Sequence, residues 1–152
     1  MALPIDTDAI SHGIQLAVAP VFLLTAVAAM ISAVANRLAR IIDRARLVES
    51  QLAGLADAAA IGAIWGELHE LRRRGHLANI SIGLLTLCGF LIGATIVILF
   101  LGETINLEMR KMAVLSFLSS VVCFMLALAC FLAETWIATR ILNFGKYTRG
   151  PA

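Results

Sequence analysis

The placement of the charges limits this chain more than any motif does. Three stretches, residues 13–35, 78–101 and 112–135, contain no Asp, Lys or Arg, and the one acid among them is Glu134 near the end of the third. Each has about the ~20 residues that a helix needs to cross a bilayer. The expectation is an all-α membrane protein with three transmembrane helices, TM1 over 13–35, TM2 over 78–101 and TM3 over 112–135. Composition agrees. Of 152 residues, 61% are apolar and 14% charged, and a soluble domain of that size would expose more charge. The length allows one domain, so residues 1–152 read as a single membrane unit.

A net charge of +2 is too small to imply nucleic acid as a partner. The three cysteines, Cys88, Cys123 and Cys130, all fall inside the apolar stretches, which argues against a disulfide framework. Cys123 and Cys130 read as small packing residues, because no His or acid accompanies them at ligand spacing. His69 and His76 stand seven apart with no third ligand near, and read as surface or headgroup histidines. No metal or cofactor is indicated. No nucleophile has a base at useful spacing and no phosphate loop is present, so the chain does not read as an enzyme. Residues 1–12 carry Asp6 and Asp8 without Lys or Arg. A secretory signal begins basic, so the first span is expected to stay in the mature protein.

Residues 36–76 read as a helical hairpin outside the membrane. No Gly or Pro occurs between Val21 and Ala53, so TM1 is expected to run on without a break. Leu38, Ile41, Ala45, Val48, Leu52 and Leu55 alternate steps of three and four, which makes a heptad seam. Gly54 and Asp57 mark a turn. Ile61, Ile64, Leu68 and Leu71 then repeat the seam, and the second helix is expected to continue through Gly75 into TM2. Arg37, Arg40 and Arg44 border the first seam. They read as an anchor to the phosphates of anionic phospholipid headgroups.

Pro20 predicts a kink in TM1. Beyond it Thr25, Ser32, Asn36 and Asp43 share one helix face. One reading is hydroxyls bonded back to their own helix, and the other is a water-accessible seam or interface between copies. Gly83, Gly89 and Gly93 on TM2, and Ser116 and Ser120 on TM3, form small-residue stripes that favour close helix packing and a homo-oligomer. Residues 102–111 read as the second connection. Residues 136–152 form a short tail that opens with Trp136 at the level of an aromatic belt.

Arg37, Arg40, Arg44, Arg46, Arg72, Arg73 and Arg74 lie between TM1 and TM2, and Arg140, Lys146 and Arg149 lie in the tail. Only Arg110 and Lys111 lie between TM2 and TM3. The positive-inside rule then puts the hairpin and carboxyl terminus in the cytoplasm, and the amino terminus and the 102–111 loop outside.

Pro20 in the first span, Asn36-Arg37-Leu38 and Asp43-Arg44-Ala45-Arg46 at its end, and the arginine cluster before TM2 together resemble the bacterial membrane family catalogued as domain of unknown function 2721. The resemblance covers about residues 10–140. It implies a small three-span protein of a bacterial inner membrane and brings no catalytic residues.

Two functions fit these features. One is a self-associating protein that forms a cation channel lined by TM1. Three helices are too few to enclose a water-filled path, so a pore would lie between copies, with Asp6, Asp8, Glu103 and Glu108 at its outer mouth. The alternative is a non-conducting scaffold or regulatory subunit whose cytoplasmic hairpin binds a partner protein and anionic lipid.

Overall fold

The computed structural model describes residues 7–52, 58–105 and 107–144, with side chains at 15, 17–52, 58–101 and 111–139. Three helices account for all of them: α1 (Thr7–Leu52), α2 (Ala58–Ile105) and α3 (Leu107–Phe144). No strand occurs among the described residues. At 46, 48 and 38 residues, each helix is longer than the ~20 residues that cross a bilayer. All three contain a stretch long and apolar enough to do so, within Ala17–Leu52, Ala58–Leu101 and Lys111–Thr139. The apolar windows are only 22%, 22% and 11% buried inside the chain. Their outer faces carry large apolar residues such as Phe22, Phe90, Leu118 and Leu132, a surface that suits lipid and not water. The chain is a multi-pass membrane protein.

α1 passes through Pro20 and α2 through Gly75 without interruption. The connection expected over 102–111 is much shorter: α2 extends to Ile105 and α3 begins at Leu107. Gly102 alone is a weak stop signal against the helix-forming run on either side of it. The expected turn at Gly54 and Asp57 lies outside the described residues.

The buried positions recur every seven residues on each helix. These rows hold Pro20, Val27, Val34, Ile41 and Val48 on α1, Leu71, Ala78, Leu85 and Ile92 on α2, and Ala113, Ser120, Ala127 and Glu134 on α3, with Ala17 buried one turn before the α1 row. A second row on α2 holds Ser81, Cys88 and Thr95. Sevenfold spacing keeps one face of a helix turned to its neighbours, as in coiled coils.

The chain divides into two compact units, one of Met1–Ile31 with Leu84–Met125, the other of Ser32–Gly83 with Leu126–Ala152. In the first, Gly89 of α2 lies against Leu24 and Val27 of α1; a Cβ there would sit 3.7 and 3.9 Å from their side chains, an ordinary contact. Ser116 of α3 donates to the carbonyl of Leu91 on α2 at 3.1 Å, and Thr95 donates to the same carbonyl at 2.8 Å. Ala19, Pro20, Thr95, Leu99, Ala113, Val114 and Phe117 line an open groove of about 230 Å³.

In the second unit the seam residues meet. Ile41 and Val48 of α1 pack with Leu71 of α2, and Ala45, Ile64 and Leu68 pack against them. Gly75 lies against Ile41 and Leu38, whereas Arg44 reaches Glu67. As numbers rise along α1 they fall along α2, so the two helices run antiparallel here. Ser81 of α2 donates to the carbonyl of Ala127 on α3 at 3.1 Å.

Candidate functional site

The second unit buries a carboxylate. Glu134 follows Ala127 by seven residues, so it falls on the row of α3 that faces the other helices, and it is 1% exposed. An unpaired buried charge is costly, several kcal/mol even after relaxation (roughly), and both oxygens of Glu134 are engaged. Arg74 of α2 donates from Nε and Nη2 to Oε1, at 3.0 and 2.9 Å. Arg37 of α1 pairs with Oε2 through Nη2 at 3.2 Å. One acid thus ties all three helices together.

The neighbours of Glu134 hold Arg37 in place. Its Nη1 donates to Thr135 Oγ1 at 2.9 Å, and that hydroxyl donates in turn to the carbonyl of Phe131, also at 2.9 Å. The guanidinium carbon lies 5.2 Å from the centroid of the Phe131 ring, close enough for a cation–π contact. Among the described residues no buried side-chain nitrogen or oxygen lacks a partner. A planar fork locked by such bonds keeps its orientation.

A second pair lies further along the seam. Arg44 donates from Nε and Nη2 to Glu67 Oε1, at 2.9 and 2.7 Å. The two side chains are 53% and 42% exposed, so solvent screens this pair where it does not screen Glu134.

Of the expected lipid-phosphate anchors, Arg37 and Arg44 therefore sit in pairs within the chain, and Arg40 is exposed. Thr25, Ser32, Asn36 and Asp43 are all exposed. Thr25 and Ser32 each stand two residues before a buried valine and Asp43 two after buried Ile41, about 200° round the helix. The stripe thus faces away from the packed row. Thr25 Oγ1 also bonds back to the carbonyl of Val21 at 3.2 Å. Among the small residues, Ser116 and Gly89 make the α2 contacts described above. Ser120 is buried and donates to Phe117 of its own helix at 2.6 Å. Gly83 and Gly93 have open space where a Cβ would stand, so neither marks a close helix approach within the chain.

Glu134 and Arg74 were not among the residues singled out from the sequence as a site. The signal was present: an acid at the fourth position of the series 113, 120, 127, 134, otherwise filled by Ala and Ser. Among the described residues no group of three or more His, Cys, Asp or Glu side chains is placed to hold a metal ion.

A family model described as "Protein of unknown function (DUF2721)" matches residues 17–144, most of the chain. No curated protein and no solved structure matches it.

Proposed function

The chain belongs to the DUF2721 family, whose description assigns no activity, and from its own residues we propose that it self-associates in the membrane along the outer face of α1, with a cation path between copies. The carrying observation is the exposure of Thr25, Ser32 and Asn36 on a membrane helix whose opposite face is already packed. Polar residues in a span face a bundle interior or a water-filled cavity far more often than lipid. A second copy supplies that interior. Gly83 and Gly93, with open space beside them, leave room for a further helix on α2. The arginine-rich end belongs on the cytoplasmic side of a bacterial inner membrane by the positive-inside rule, and the amino terminus outside.

The test is conductance of the purified chain in planar bilayers. Cation current is expected, and Ser32→Leu and Asn36→Leu are each expected to reduce it strongly. Currents identical in both variants would remove α1 as the lining. A cysteine placed at Ser32, in a chain with Cys88, Cys123 and Cys130 replaced by Ala, is expected to cross-link between copies on mild oxidation.

One observation favours a second reading, a scaffold that receives a partner helix. Ile41, Ile42, Ala45, Leu68 and Trp65 line a groove of about 560 Å³, and Trp65 is 60% exposed. An assembled wild-type protein that passes no ions would favour this reading over the channel.

A further inference from the structure

Four arginines line one open cleft. Arg37, Arg40 and Arg44 of α1 and Arg74 of α2, with Ile41 and Leu71, line a cavity of about 440 Å³, within the roughly 300–1,000 Å³ range of small-molecule sites. Two acids offset the charge. Glu134 holds Arg37 and Arg74, and Glu67 holds Arg44. Four cations less two carboxylates leave a surplus of two, and Arg40 has no partner among the described residues. A solvated side chain at headgroup level accounts for Arg40 by itself. It does not account for a surplus of two positive charges lining one cleft, which a bound anion would offset.

The acids also orient the cleft. Arg37 keeps Nε, and Arg44 and Arg74 keep Nη1, outside the bonds described above. A guanidinium held by a carboxylate on one edge presents its remaining donors at little further loss of freedom. Donors left over on several arginines that line one cleft suit the many oxygens of a phosphate, whereas one fork satisfies a planar carboxylate. We propose that this cleft binds a phosphate group, with Arg40 as the cation that has no acid of its own and the other three as oriented donors. The group is either the headgroup of an anionic lipid or a soluble phosphate, and the recognition chemistry is the same for both. This assigns Arg74 to binding and does not depend on whether the chain conducts ions.

The test uses the full chain in a neutral detergent, with two probes. Inorganic pyrophosphate is titrated by calorimetry, and phosphatidylglycerol retention is counted by native mass spectrometry against phosphatidylcholine. The variant is Arg40→Gln, which leaves every described ion pair intact. The control is Arg73→Gln, which removes the same charge from an exposed position outside the cleft. Loss of one charge-assisted bond is expected to weaken binding by about tenfold in Arg40→Gln, while Arg73→Gln stays near wild type. Binding of pyrophosphate alone identifies a soluble ligand, and binding of phosphatidylglycerol alone identifies a lipid. Equal weakening in both variants would reduce the site to bulk charge and overturn it, as would failure of both probes to bind wild type better than Arg40→Gln.

Discussion

The two units of the chain pack the same heptad rows with different chemistry. In the unit of Met1–Ile31 and Leu84–Met125, the rows hold Pro20, Val27, Leu85, Ile92, Ala113 and Ser120, and the hydroxyls of Thr25, Thr95, Ser116, Ser119 and Ser120 all donate to backbone carbonyls. No ion pair occurs among its described residues. In the unit of Ser32–Gly83 and Leu126–Ala152, the α3 row ends in Glu134, and two arginines close on it. Lipid gives no hydrophobic drive for one apolar helix to prefer another. Shape and small hydroxyls therefore suffice in the first unit, and they specify little. A carboxylate on a packed row specifies a great deal, because it is tolerated only where Arg37 and Arg74 both reach it. We take the triad to fix the register of the three helices, the best-attested use of buried charge.

The sharpest way to break this comparison is to remove the acid. Glu134→Ala leaves two partly buried guanidiniums facing each other and is expected to destabilise the chain by about 3–5 kcal/mol, measured by reversible unfolding in mixed micelles. The triple change Arg37→Leu, Glu134→Leu, Arg74→Leu is expected to cost far less, since it removes the charges together. If Glu134→Ala costs under about 1 kcal/mol, the triad behaves as an exposed pair and the two units do not differ as described. If the triple variant is as unstable as the single one, packing and not charge is what Glu134 supplies.

A smaller effect sharpens the likeness between the units. Each contains a serine that donates to a backbone carbonyl of another helix, Ser116 to Leu91 in the first and Ser81 to Ala127 in the second. Bonds of this kind inside membranes average about 0.6 kcal/mol. Ser116→Ala and Ser81→Ala are therefore expected to cost about that much each, and similarly, in the same unfolding measurement. A Ser81→Ala loss several times larger would mean that the hydroxyl is coupled to the nearby triad.

The contrast between the units also explains what the sequence made legible. The spans were readable because lipid demands long uncharged runs, and the seam because Ile41, Val48, Ile64, Leu68 and Leu71 keep a strict heptad. Helix ends near 102–111 were not, since Gly102 carries too little energy, about 1 kcal/mol relative to Ala, to outweigh its flanks. The role of Glu134 was hidden by its position. An acid two residues before Trp136 looks like an interfacial residue, and only the row 113, 120, 127, 134 turns it inward. The arginines misled in the opposite sense. Arg37 and Arg40 have the same spacing from the seam and read alike as anchors, yet one is bound to an acid from α3 and the other is not. Sequence gives the face of a residue along its own helix; a partner on a third helix has no periodicity to reveal it.

The least effect is expected where charge is paired in the open. Arg44 and Glu67 have good geometry, with one carboxylate oxygen accepting two bonds, but both side chains are about half exposed. Water solvates either partner when the other is removed, and salt within a Debye length of ~10 Å at 0.1 M screens what attraction remains. Glu67→Gln is expected to cost about 0.3 kcal/mol at low ionic strength, vanishing at 0.5 M salt. The cost of Glu134→Ala is expected to persist at that salt, because Glu134 itself is buried and its two arginines are mostly so. Measuring both variants at both salt concentrations separates a register device from a surface contact, and a Glu134→Ala penalty that fades with salt alongside that of Glu67→Gln would show the two pairs to be alike.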